Sequence, residues 1–254
     1  MIVTSHNEKI QMFTQYDHSK LSGDFVPYWQ DQLFIGQAFS DEVKLAIREH
    51  DRAWIPLDEE PIWNYEKKVP HSFMDYPMKP KIEAYKKGID EVEQQSNYAA
   101  YLNSQHFLSF FDQDSTDPDI SRFISREIDR QNRLEQTFSS SLTNEINEFH
   151  FNLLQFCDDL SLYICLNEPG TSKENEIFMF KDGFRQRFAG LSGSIRANWV
   201  TINEITLTPF PFKEPFHVQV PYREITHEQV EEKGLVEAYQ HAETHNRIVL
   251  IKGE

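Results

Sequence analysis

The chain has 254 residues, 39% of them hydrophobic and 13% aromatic, enough to bury a sizeable core in one large domain or two smaller ones. Its 41 acidic side chains against 25 Lys and Arg leave a net charge of −16, which repels a phosphate backbone and argues against nucleic acid as a partner. No apolar run reaches the length of a membrane span, and the start has no basic segment leading into an apolar core, so a cytoplasmic protein without a membrane partner is expected.

In chain order, Lys9 to Phe13 reads as a short strand. Leu21, Phe25, Val26 and Trp29 then give a helical spacing from Asp17 to Trp29, with Gly23 where another helix can pass closely and His18 in the first turn. His18 there is either an inert, hydrogen-bonded side chain or a ligand. Ser40 reads as the cap of a second helix whose apolar face, Val43, Leu45, Ala46 and Ile47, ends at His50 and Asp51. From Trp54 to Pro80 the chain is proline-broken and acidic, an irregular stretch whose aromatics, from Trp54 to Tyr76, could wall a pocket or simply pack on the helices.

Helices resume over Pro80 to Glu93, Asn97 to Phe111 with Ser96 as cap and His106 inside, and Asp117 to Phe138, whose Arg and Glu residues form a solvated face. Asn144 to Leu166 is the most apolar stretch and should be the central helix. Asp158 and Asp159 sit deep within it, and a buried carboxylate is costly unless it is paired or bound to a cation. Cys157 and Cys165 are eight positions apart on this helix, about 12 Å, too far for a disulfide. Beyond Pro169-Gly170 strand-like runs are expected at Glu176 to Phe180, Phe184 to Phe188, Val200 to Thr208 and Phe216 to Val220. A helix from Glu228 to Thr244 and a strand from Arg247 to Ile251 close the chain.

The order His18, His50-Asp51, His106, Asp158 on expected helices resembles the HD-domain superfamily of metal-dependent phosphohydrolases, defined by a histidine, a His-Asp doublet and a late aspartate. His106 corresponds to the extra histidine of members that hold two metals. Four further stretches, Met1-Ile2-Val3, Gln15 to Gly23, His50 to Trp54 and Leu154 to Leu162, are similar to a family of uncharacterised bacterial proteins, a domain of unknown function. The chain departs from many HD enzymes after the doublet, where Arg52-Ala53-Trp54 replaces their small residue, glycine and lysine, so their supporting lysine is not carried over. The Leu-Gln-x-x-Asp spacing selects Asp158 over Asp159.

These resemblances imply a mainly α fold: an HD-domain-like helical bundle over residues 1–168, with a strand-rich region over 169–254 packed on it. They imply a metal site of His18, His50, Asp51, His106 and Asp158, with Asp51 and Asp158 as the catalytic carboxylates. Whether His71, His150 or Asp159 joins them is open. Imidazole and carboxylate ligands without thiolate suit one or two divalent ions of Mn, Fe, Co, Ni or Zn, and Lys20, Arg48 or Arg52 could add positive charge. The expected function is a metal-dependent hydrolase of a small phosphate-bearing molecule; the alternative is a metal-binding or ligand-sensing protein without turnover.

Overall fold

The computed structural model describes residues 1–6, 8–138 and 141–254. The chain opens with a hairpin in which β1 (Ile2–His6) runs antiparallel to β2 (Lys9–Phe13). Thr14 accepts a hydrogen bond from the Asp17 N–H and so caps α1 (Gln15–Phe25). In α2 (Ser40–Glu49), Ser40 is the first helical residue and not the cap. The stretch expected to be irregular holds a turn at Arg52–Trp54, a short α3 (Ile55–Glu59), and a small ribbon of β3 (Trp63–Asn64) against β4 (Val69–Pro70).

Four long helices follow: α4 (Met78–Glu93), α5 (Asn97–Leu108), α6 (Pro118–Glu135) and α7 (Asn144–Leu166). Ser96, Asp117 and Thr143 cap the last three through side-chain oxygens. α7 is buried along almost all of its second half, as its apolar sequence demands, and Cys157 and Cys165 lie there as free thiols. Burial pushes both thiols up, Cys165 to about 12, so neither is reactive at neutral pH.

The C-terminal part supplies β5 (Arg196–Thr201), β6 (Glu204–Thr208), β7 (Phe216–Thr226), α8 (His227–Lys233), α9 (Leu235–His241) and β8 (Thr244–Gly253). Among the described residues, six strands form one mixed sheet in the order β1-β2-β7-β8-β6-β5, parallel between β6 and β8 and antiparallel elsewhere. The fold is therefore α+β, which overturns the expected mainly α, HD-domain-like bundle. The N-terminal hairpin joins this sheet through β2 and β7, so the sheet draws on both ends of the chain. Alternation within a strand does not identify a partner at such a separation in sequence.

Local departures have identifiable causes. β7 runs on past Pro221, which pairs with Asn246 of β8. The β2 ladder ends at Met12 opposite Arg223, so a residue without an N–H is tolerated on the free flank of β7. The helix expected over Glu228 to Thr244 is broken at Gly234, whose φ of 81° suits glycine. The segments expected as strands at Glu176 to Phe180 and Phe184 to Phe188 are irregular, with a 3₁₀ turn at Phe178–Phe180. Their buried rings dock on α7 instead, Phe180 against Tyr163 at 5.5 Å and Phe184 against Phe156 at 5.2 Å between centroids. No helix among the described residues is long and apolar enough to cross a membrane.

Sheet and helices are locked together by Arg247. Its guanidinium donates to the carbonyls of Ile164, Cys165 and Asn167 at the end of α7, and to the Gln11 side chain of β2 at 2.9 Å. A cation at the carbonyl end of a helix satisfies orphan acceptors and complements the dipole. Two glycines allow the helices to close up: a Cβ on Gly23 of α1 would lie 2.8 Å from the Arg48 Cβ of α2, and one on Gly88 of α4 only 2.6 Å from the Ala53 Cα. Gly88→Ala should therefore cost a net of about 1–2 kcal/mol, because backbone overpacking outweighs the helix-propensity gain. The measurement is the denaturant midpoint at unchanged slope; a midpoint that holds or rises would show that the turn after Asp51 yields freely.

Candidate metal centre

Four helix segments bring five ligand groups to one buried point. His18 projects from the second turn of α1, His106 from the last turns of α5, and Asp158 from the interior of α7. His50 caps the C-terminus of α2, and Asp51 has already left helical geometry at φ −110°, ψ 20°. That break lets neighbouring side chains point the same way, which two adjacent residues within a helix, about 100° apart, could not do. All five are buried.

The ligand atoms are close. His18 Nε2 lies 3.1 Å from Asp51 Oδ2, 3.2 Å from His50 Nε2 and 3.4 Å from Asp158 Oδ1. His50 Nε2 is 3.4 Å from Asp158 Oδ1 and 3.8 Å from Asp51 Oδ2, and His106 Nε2 is 3.7 Å from Asp158 Oδ2. Ligands about 2.0–2.2 Å from a common ion stand roughly 3–3.5 Å apart from one another, so these separations suit a divalent cation. The groups His18, His50, Asp51 and His50, His106, Asp158 could each hold one.

The hydrogen bonds around the site fix which nitrogens are free. His50 Nδ1 lies 2.7 Å from the Ile47 carbonyl, which can only accept, so Nδ1 carries the proton. His18 Nδ1 lies 2.5 Å from Ser161 Oγ, whose own proton goes to the Asp158 carbonyl at 2.8 Å. Ser161 must therefore accept from His18, and each ring in its neutral form turns the Nε2 lone pair inward. Gln15 Nε2 steadies Asp51 by donating to Oδ2 at 2.8 Å. Lone pairs and carboxylate oxygens thus face one another in a buried site, an arrangement that demands positive charge.

Titration follows the same demand. Burial disfavours a charged His50, but Asp51 and Asp158 outweigh it and raise its pKa to about 9. Asp158 is held far below the usual carboxylate range, burial being overcome by His50 and the other two imidazoles. His106 goes the other way: burial drops it to about 4, so it is neutral at physiological pH, with Nδ1 buried and unpartnered.

A cavity of 390 Å³ opens on Asp51, His106 and Asp158. Trp54, Phe73 and Met74 form one side, from the segment that the sequence suggested as a wall, while Trp63 packs against His227 and Tyr65 stands in solvent. The opposite side, Met179 to Arg185, comes from the region expected to be strands. Its cations are Lys81 and Arg185. Lys20, Arg48 and Arg52 pair instead with Asp17, Asp24, and Glu49 with Glu91, away from the cavity.

Three candidates left open by the sequence are now placed. His150 is a core residue, accepting from Tyr98 at 2.7 Å and donating to the Ile35 carbonyl at 2.8 Å. His71 sits beside Asn64 and Asp75, outside the cavity lining. Asp159 lines the cavity but is engaged by Gln186 at 2.8 Å and Arg185 at 3.3 Å; burial and then Asp158 raise it to about 6. Sequence reasoning passed over Gln15 and Ser161 as supports, although both lie in the motifs Gln15 to Gly23 and Leu154 to Leu162. No local signal marked Lys81 or Arg185.

Compared with the curated proteins and with the solved structures, the chain has no match. A family model, described as a protein of unknown function, DUF3891, matches residues 1–227, a span that includes all five ligand groups and ends before β8. HD-domain kinship is not among these findings. On that match over most of its length, the chain belongs to the DUF3891 family of proteins of unknown function.

Proposed function

We propose that this protein is a metal-dependent hydrolase of a small phosphate ester. The observation that carries the reading is a set of inward lone pairs and carboxylates, fixed from behind by Ile47, Ser161 and Gln15, that adjoins an open cavity. A purely structural metal site would be closed. A divalent cation held by these residues would supply Lewis acidity toward a phosphoryl oxygen and a water. The ligand order His18, His50-Asp51, Asp158, which resembles that of HD phosphohydrolases, supports the same chemistry on a different fold.

The residues also bear on stoichiometry. An imidazole nitrogen has one lone pair, so His50 serves a single ion. His18, His50, Asp51 and Asp158 would hold it, leaving His106 and the second oxygen of Asp158 for a weaker one. Mn, Fe, Co, Ni or Zn fits this donor set.

Elemental analysis of protein purified without added metal should find about one tightly held divalent ion per chain. Chelation should lower the melting temperature, a stabilisation of about 2.7 kcal/mol at a hundredfold excess over Kd, while Asp51→Ala should be insensitive to chelator. Identical melting curves for the parent with and without chelator would count against a tightly held ion.

Affinity should also depend on pH with a definite sign. Because His50 in the metal-free site keeps its proton up to about pH 9, the ion must displace it. Below that pH the apparent affinity should rise about tenfold per unit, then level off. Competition with a chromogenic chelator across neutral pH measures the slope; a flat profile would mean that His50 is not a ligand.

Turnover separates hydrolase from metal-binding sensor. A panel of phosphate esters assayed with Mn, Co or Zn should give at least one substrate, and Asp158→Ala should lose the rate by about 10²-fold or more with the fold intact. Metal bound with no turnover on any ester would favour the sensor. Activity surviving in Asp158→Ala would place the chemistry on other residues.

A further inference from the structure

The cavity lining is mostly apolar away from the candidate metal centre, Lys81 and Arg185 excepted. Asp51, His106, Asp158 and Asp159 form its floor, and Trp54, Tyr85, Leu162, Phe180 and Phe184 rise from it as apolar walls. At the mouth, large apolar side chains from three separate segments stand in solvent: Met74 at 60% exposure, Phe110 at 49% and Met179 at 44%. Apolar groups gathered on one rim mark a surface that something covers. Lys81 lies along the wall, its Nζ donating to the Phe73 carbonyl at 2.8 Å and standing 5.7 Å from the Trp54 ring. One of its three donors is thereby used, and the others remain for a ligand.

We propose that the site takes a phosphate monoester with a hydrophobic or aromatic body, the phosphate at the floor beside Lys81 and the body clamped by Met74, Phe110 and Met179. This rests on the metal-site reading above and adds the class of substrate to it. A sugar or nucleoside phosphate fits less well, because its many hydroxyls or base edges would lose water against walls that, beyond the cations and a tyrosine hydroxyl, are largely apolar. Two of the three rim residues are methionines, whose unbranched, polarisable side chains adapt to bodies of different shape. Lys81 would contact the anion directly, and the rim would set specificity without touching the reacting atoms.

Phosphonates, which water does not cleave, separate this inference from the hydrolase reading. Isothermal titration of the full chain loaded with Mn²⁺ should show 1-naphthylmethylphosphonate binding about tenfold or more tighter than the phosphonate analogue of glucose 6-phosphate. Met74→Ser and Met179→Ser should abolish that preference and leave methylphosphonate affinity unchanged, whereas Lys81→Met should weaken all three ligands. A sugar analogue that binds as well as the naphthyl compound would overturn the proposal. So would rim variants that alter only the oligomeric state, or a protein that binds none of the three. If the preference holds while no phosphate ester is turned over, the hydrolase reading fails and this one stands; esters cleaved without the preference would sink this one alone.

Discussion

Two carboxylates buried among apolar helices are the constraint on which the rest of the molecule depends. Asp51 and Asp158 are both buried where they meet the cavity, and an uncompensated charge there is costly. Three imidazoles share the space, and the two whose tautomers the hydrogen bonds fix present lone pairs to the carboxylates. The cluster is therefore stable only with positive charge at its centre, as a proton on His50 or as a cation. Supports that could have been apolar are polar for this reason: Gln15, Ser22 and Ser161 are buried, and each is hydrogen-bonded toward the site.

Holding such a cluster needs helices that cannot slide. α1 and α2 close to contact at Gly23, and α4 closes on the turn after Asp51 at Gly88. α7, which carries Asp158 and Ser161, is held at its C-terminus by Arg247 of β8. The sheet supplies none of the five ligand groups, yet through Arg247 it fixes the helix that bears one of them.

The two parts of the chain divide the work around the cavity. Residues before 168 supply the ligand groups and one wall; the irregular segment from Met179 to Arg185 supplies the facing wall and Arg185. That segment stays in place because Phe180, Phe184 and Phe188 dock on α7, where Phe188 lies 5.7 Å from Phe156 between centroids. The rings fall four residues apart, a spacing that reflects where α7 has room for them and not the secondary structure of their own backbone. The candidate metal-binding groups and the facing wall of the cavity thus come from different stretches of sequence, brought together by packing.

The four long helices are legible in the sequence, because their signals are local: a capping hydroxyl at Ser96, a proline after Asp117, a predominantly apolar stretch from Asn144 to Leu166; the cap expected at Ser40 and the single helix expected over Glu228 to Thr244 are not what forms. The sequence also points to the five groups that converge in the fold, Asp158 because a carboxylate in an apolar helix is conspicuous, and the three histidines and Asp51 through the order that resembles HD enzymes. The architecture, by contrast, is set by contacts in space. The pairing of β2 with β7 joins residues more than two hundred positions apart, and nothing in the sequence of Lys9–Phe13 encodes its partner. The same holds for the cavity cations. Lys81 reads as one more solvated lysine on a helix, and only the approach of Phe73, Trp54 and Tyr85 sets it beside the carboxylates, because a side chain's electrostatic role is fixed by what surrounds it in space.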